Sequence, residues 1–253
     1  MGTPTPEAVT DGPTGSDGPG RAVLVALGLG LAGPVLAVVF SLPVAALAGL
    51  VELPLVVTIG LLLVAGQYVA FGGLALAYLR RRGMTWAGVQ SYLGVRVPSV
   101  RELLIVPAGW VLIIGIIMVV GLVVTALGAE TGQNQTAELA LESPEIIPPL
   151  IVAMFLVVGP SEEILYRGVV QGRLRESLGA VPSIAIASAI FAVVHWFALT
   201  GGASARLASV TVLFFPSLVF GAVYEYTDNL VVPALLHGLH NSVLLALIYF
   251  VYA

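Results

Sequence analysis

The chain has 253 residues, 58% of them hydrophobic and only 9% charged, with a formal net charge of −4 and a mean hydropathy of +1.04. A water-soluble domain carries about 25% charged residues, so this composition excludes an ordinary soluble globule. Cysteine is absent, which excludes a disulfide framework and a thiol nucleophile, and the small net charge gives no reason to expect a nucleic-acid partner.

Residues 1–20, MGTPTPEAVTDGPTGSDGPG, have no hydrophobic periodicity and read as a disordered, mildly acidic tail. No positive charge precedes Arg21 and no short apolar core with a cleavage site follows, so the first apolar run is expected to remain as an anchor. Uncharged stretches then run Ala22–Val51, Leu53–Leu79, Leu103–Ala129, Ser177–Ala205, Leu207–Tyr224 and Asn229–Ala253. A spanning helix needs roughly 20 mainly apolar residues, and each stretch meets or approaches that length. The predicted spans are 22–48, 54–79, 103–127, 146–175, 181–199, 205–226 and 230–252. The fold class is therefore all-α: a polytopic integral membrane bundle of seven helices, or eight if Pro34 or Pro43 splits the first run. No internal repeat is visible.

Arginine sets the orientation. Arg80, Arg81, Arg82, Arg96 and Arg101 follow the second span, whereas the connection Gly128–Glu145 has Glu130, Glu138, Glu142 and Glu145 and no arginine. The positive-inside rule puts the first connection and the N-terminus in the cytoplasm and the second connection outside. The expected location is the cell membrane, with the site opening to the cytoplasm. Asn134-Gln135-Thr136 in the outer connection matches a glycosylation sequon, a pattern that short sequences often meet by chance.

The fourth span contains GPSEEILYRGVV, Gly159 to Val170, with two adjacent glutamates and an arginine among apolar residues. A central acidic residue disfavours insertion by about 2.5–3.5 kcal/mol, so a pair requires a reason. Glu163 and Arg167 are four apart and suit an ion pair on one helix face. Glu162 lies about 100° round the helix and has no such partner in its own segment. A charge cluster at a helix end, in the headgroup region, is the simpler alternative.

All three histidines, His195, His237 and His240, also lie in apolar spans. Phe191 precedes His195 by one turn, and His237, His240 and Asn241 share a helix face. A carboxylate in an apolar cleft can take a proton from water, an imidazole can orient that water, and a His with an Asn can donate to an oxyanion. Such a set suits amide hydrolysis by activated water, without a serine or cysteine nucleophile. Counted along the helices, Glu162 and His237 reach similar depths. His195 falls ~21 Å from its cytoplasmic start, too deep for an upright helix unless the span tilts or bends near Gly179–Pro182.

The order Glu162-Glu163-Ile164-Leu165-Tyr166-Arg167, then Phe191 to His195, then His237 to Asn241 resembles the CPBP family, which includes the type II CaaX prenyl proteases and the bacterial Abi proteins. The resemblance covers about 145–253, read as a catalytic transmembrane bundle, while residues 21–127 match only as N-terminal membrane helices. It implies an intramembrane endopeptidase acting on a membrane-bound protein or peptide, with a prenylated C-terminus as the family's best-known substrate class. By that resemblance Glu162 and His195 would activate the water, His237 with Asn241 would stabilise the oxyanion, and Glu163 and Arg167 would support the helix. His240 lies outside the pattern and is expected to be a satisfied helix-facing residue or an extra site contact. Zinc held by Glu162, His195 and His237 is the alternative to a metal-free glutamate mechanism, although the H-E-x-x-H helix of zinc proteases is absent. A proton-coupled transporter and a non-catalytic scaffold or immunity protein of the same fold are the competing readings. The transporter lacks support from inverted repeats or paired broken helices.

Overall fold

The computed structural model of the chain describes residues 18–252, so nearly all of the predicted tail lies outside the described residues. The remainder is helical: α1 is Pro19–Leu50, α2 Leu55–Arg81, α3 Trp86–Tyr92, α4 Val100–Ala126, α5 Gln135–Glu142, α6 Pro144–Arg175, α7 Ala180–Ala198, α8 Ala203–Thr227 and α9 Val231–Tyr252. Seven of them (all but the short α3 and α5) are long and apolar enough to cross a membrane. The one β-type pairing among the described residues is an isolated bridge between Asn134 and Leu199.

The first run stays whole. Helix α1 continues through Pro34 and Pro43, so the eighth span does not form. Lipid offers no partners for the backbone groups that a break would release, and packing against neighbouring helices lets proline remain inside a spanning helix. Glycines on α1 allow close approach: a Cβ on Gly30 would fall 2.4 Å from the Ile190 side chain, and one on Gly33 would fall 2.7 Å from that of Leu165. Tyr166 crosses the same contact and donates its hydroxyl to Gly30 O at 3.2 Å. Helices α1 and α2 thereby share one core with α6 and α7, built around Ala26, Phe71, Leu165, Tyr166, Ile190 and Phe191.

Helix α4 starts at Val100 rather than near 103 because Ser99 and Glu102 close a capping box. Ser99 Oγ accepts from the Glu102 amide, and Glu102 Oε2 accepts from the Ser99 amide at 2.7 Å. Arg96 pairs with Glu102 and also donates to Thr227 O at 2.9 Å, which ties this connection to the end of α8. Gly94, with φ of 64°, comes so close to Asp228 O that any Cβ would lie 2.4 Å from it. Arg82 pairs with Glu176 beyond α6, and Tyr92 donates to the same carboxylate at 2.9 Å.

At the opposite end of the bundle, Thr200 N donates to Gln133 O at 2.9 Å and Ser209 Oγ donates to Gly132 O at 2.9 Å. Asn134 caps α5 through its side chain, which accepts from Thr136 N. The arginine-rich and glutamate-rich connections therefore occupy opposite ends of the bundle.

Candidate active site

Three stretches of two helices have π-helical hydrogen bonding, which widens the turn and redirects the residues that follow. One is Val64–Gly72 in α2, and two are Met154–Val158 and Ile164–Gln171 in α6. Glu162 and Glu163 lie on the α-helical turn Gly159–Glu163 between the last two. Helix α9 crosses here at close range: a Cβ on Gly159 would lie 2.7 Å from Ala234 O, and one on Gly238 would lie 3.0 Å from Met154 O. This glycine-lined crossing brings His237 against the glutamate pair.

Glu163 is fully buried and binds on both sides. Its Oε2 accepts from Arg167 Nε at 2.9 Å, the predicted ion pair, and its Oε1 accepts from His237 Nδ1 at 2.9 Å. Arg167, also fully buried, donates to Ser217 Oγ at 3.0 Å, and its guanidinium lies over the rings of Phe191 at 5.0 Å and Phe220 at 5.8 Å. Because the Glu163 carboxylate takes the hydrogen on Nδ1, a neutral His237 has its lone pair on Nε2. That nitrogen faces Glu162 Oε2 at 3.8 Å.

Glu162 is buried too. Its Oε1 accepts from Gln67 Nε2 at 3.1 Å, while Oε2 has no hydrogen-bond partner among the described residues. Its partner thus comes from α2, a helix that the motif pattern left out. Gln67 is the one amide between Leu53 and Leu79, and its presence in an apolar span was the signal that could have found it. Ser217 and Phe220 carry no comparable sequence signal. Phe220 stacks on His237 with centroids 4.8 Å apart and 17° between the planes.

His195 ends the α-helical part of α7 and opens a 3-10 turn. Its amide bonds Ala192 O instead of Phe191 O, and the Phe191 carbonyl accepts from the imidazole Nδ1 at 2.7 Å. A neutral His195 therefore also presents its lone pair on Nε2. The Phe191 ring stands between the two imidazoles, 4.5 Å from His195 and 5.8 Å from His237. The chain turns between Arg175 and Ala180, where Gly179 caps α7 in extended conformation, and Ala180–Val194 is then continuous.

Asn241, one turn beyond His237, is half-buried and makes no hydrogen bond among the described residues. His240 is buried against the edge of Phe220, and its Nδ1 has no partner among the described residues.

Among the described residues no three His, Asp or Glu side chains are grouped to hold a metal ion. Both site histidines engage Nδ1 with a carboxylate or a carbonyl and keep Nε2 free, an arrangement open to a water or to a metal ion.

No curated protein and no solved structure matches the chain. Residues 144–243 match the model of the type II CAAX prenyl endopeptidase Rce1-like family. The matched segment holds Glu162, Glu163, Arg167, Phe191, His195, His237 and Asn241, while α1, α2 and α4 fall outside it. The chain thus joins seven apolar helices to a segment similar to the type II CAAX prenyl endopeptidases of the Rce1-like family.

Proposed function

We propose that the chain hydrolyses a peptide bond of a membrane-associated substrate with water activated by Glu162, without a metal ion. The observation that carries this reading is the facing pair Glu162 Oε2 and His237 Nε2. At 3.8 Å they are too far apart for a direct hydrogen bond and well placed to act on one water. Glu162 takes a proton from that water as its oxygen attacks the scissile carbonyl carbon. His195 orients the water by accepting a hydrogen on Nε2. The oxyanion receives hydrogen bonds from the Asn241 amide and from His237 as an imidazolium, whose Nε2 proton is taken up from the medium before attack and kept through the turnover, a charge that the Glu163 carboxylate on Nδ1 supports. The proton on Glu162 then passes to the amine nitrogen as the C–N bond breaks.

In this reading residues 145–253 form the catalytic bundle and 21–127 the helices that complete it. The N-terminus and the site's opening face the cytoplasm of a cell-membrane protein. The likeness to type II CAAX prenyl endopeptidases makes a peptide with a prenylated CAAX C-terminus the first substrate to try. Replacing Glu162 by Gln keeps the shape and removes the base. The purified variant should lose cleavage while keeping its melting temperature and yield, and chelators should leave the parental rate unchanged. Parental cleavage by Glu162→Gln would overturn the mechanism. Failure of the unaltered protein to cleave any membrane peptide would favour a non-catalytic scaffold.

A further inference from the structure

One polar side chain from outside residues 144–243 bonds a site carboxylate. Gln67 lies in the π-helical stretch Val64–Gly72 of α2 and uses both ends of its amide on consecutive residues of α6. Nε2 donates to Glu162 Oε1 at 3.1 Å, and Oε1 accepts from Ser161 Oγ at 2.8 Å. An amide in an apolar span is unfavourable unless its polar atoms are paired, and here the pairing points at the residue read as the base.

We infer that Gln67 is a positioning residue that holds the Glu162 carboxyl in one orientation through both protonation states of the reaction. The inference rests on the reading of Glu162 as general base. An ionised Glu162 only accepts, so the amide nitrogen must face it, and the Ser161 hydroxyl donates to Gln67 Oε1. The proton from water goes to Oε2, the oxygen without a partner among the described residues. Oε1 is then the carbonyl oxygen of the neutral acid and still accepts from Gln67 Nε2, while Ser161 Oγ goes on donating to Gln67 Oε1. Every group in the relay stays paired in both states. An apolar side chain at 67 serves neither state.

The test measures cleavage of a membrane peptide by purified Gln67→Met, Gln67→Glu and Ser161→Ala, with Glu162→Gln as control. Methionine keeps the length of glutamine and makes neither hydrogen bond. For Gln67→Met, kcat should fall roughly ten- to a hundredfold, the range expected on losing a hydrogen bond to a charged group, with KM unchanged within about twofold. Gln67→Glu should fall further, because a second carboxylate faces the first, and Ser161→Ala should fall less, again at parental KM. A purely structural amide would instead lower yield and melting temperature without separating kcat from KM. Parental kcat in Gln67→Met, or a change confined to KM, overturns the inference while an inactive Glu162→Gln leaves the base reading standing. Should Gln67→Met fail to fold, parental kcat in both Gln67→Glu and Ser161→Ala overturns it. An active Glu162→Gln removes the base reading itself, and the inference with it.

Discussion

Glu162 and Glu163 are neighbours in the chain with opposite surroundings. Glu163 is held by Arg167 and His237 in a fully buried cluster, whereas Glu162 has one amide partner and one oxygen without a partner among the described residues. Removing one member of a buried pair leaves the other uncompensated, a loss of about 3–5 kcal/mol. Glu163→Gln and Arg167→Met should therefore each lower the melting temperature and the cleavage rate. The double change Glu163→Gln with Arg167→Met removes both charges and should recover part of the stability. It should not recover cleavage, because His237 Nδ1 still lacks its carboxylate. Melting curves and cleavage rates on the four proteins check this, and full recovery of cleavage in the double variant would contradict the role given to Glu163. The i,i+4 spacing made Glu163–Arg167 legible in the sequence. The Glu163–His237 contact was not, because it joins residues 74 apart.

Element packing explains much of what the sequence left hidden. The spanning helices are apolar on nearly every side, so composition marks where they lie but not how each is rotated against its neighbours. The π-helical stretches add a rotation that no residue pattern announced, and they frame the turn that carries Glu162 and Glu163. Glycine placement is the readable remnant. Gly159 faces backbone of α9 with no room for a Cβ, whereas nothing lies within 4 Å of a Cβ built on Gly115 or Gly121 of α4. Gly159→Ala should force α6 and α9 apart, lowering stability by about 1–3 kcal/mol and pulling His237 off Glu163. Gly115→Ala should be neutral or stabilising by up to about 1 kcal/mol through helix propensity. Thermal unfolding and cleavage of both variants test the contrast. At the α6 terminus, burial raises the proton affinity of Glu176, but hydrogen bonds from Arg82 and Tyr92 outweigh it and leave its pKa below the ordinary 4.5. A depressed folded-state pKa contributes stability above the unfolded value that is lost as pH falls through the folded one. Acidification below about 4.5 should loosen the joint between α3 and α6, seen as faster hydrogen exchange around 86–92. Glu176→Gln should exchange faster already at neutral pH and respond less to acid.

For the whole molecule, the seven spans were legible to within three residues at the described ends, since that reading needs only about 20 apolar residues between polar punctuation. The short helices Trp86–Tyr92 and Gln135–Glu142 were not legible, being too brief and mixed in composition to stand out from loops. Both lie in the connections that decide orientation. Those connections sit at opposite ends of the bundle: Arg82 and Arg96 join the ends of α6 and α8, and Gln133 and Gly132 join the α7–α8 connection. The bundle therefore has one arginine-rich end and one glutamate-rich end, and the arginine-rich end is expected in the cytoplasm. A cysteine-free chain allows a direct test with single introduced thiols. Asn134 is a poor position because it caps α5, whereas Glu130 and Ala87 are exposed and cap no helix. In intact cells a membrane-impermeant maleimide should label Glu130→Cys and leave Ala87→Cys unlabelled, and both should react after permeabilisation. Labelling of Ala87→Cys alone in intact cells would invert the molecule and with it the cytoplasmic opening of the site, while leaving the contacts among Gln67, Glu162, Glu163 and His237 unchanged.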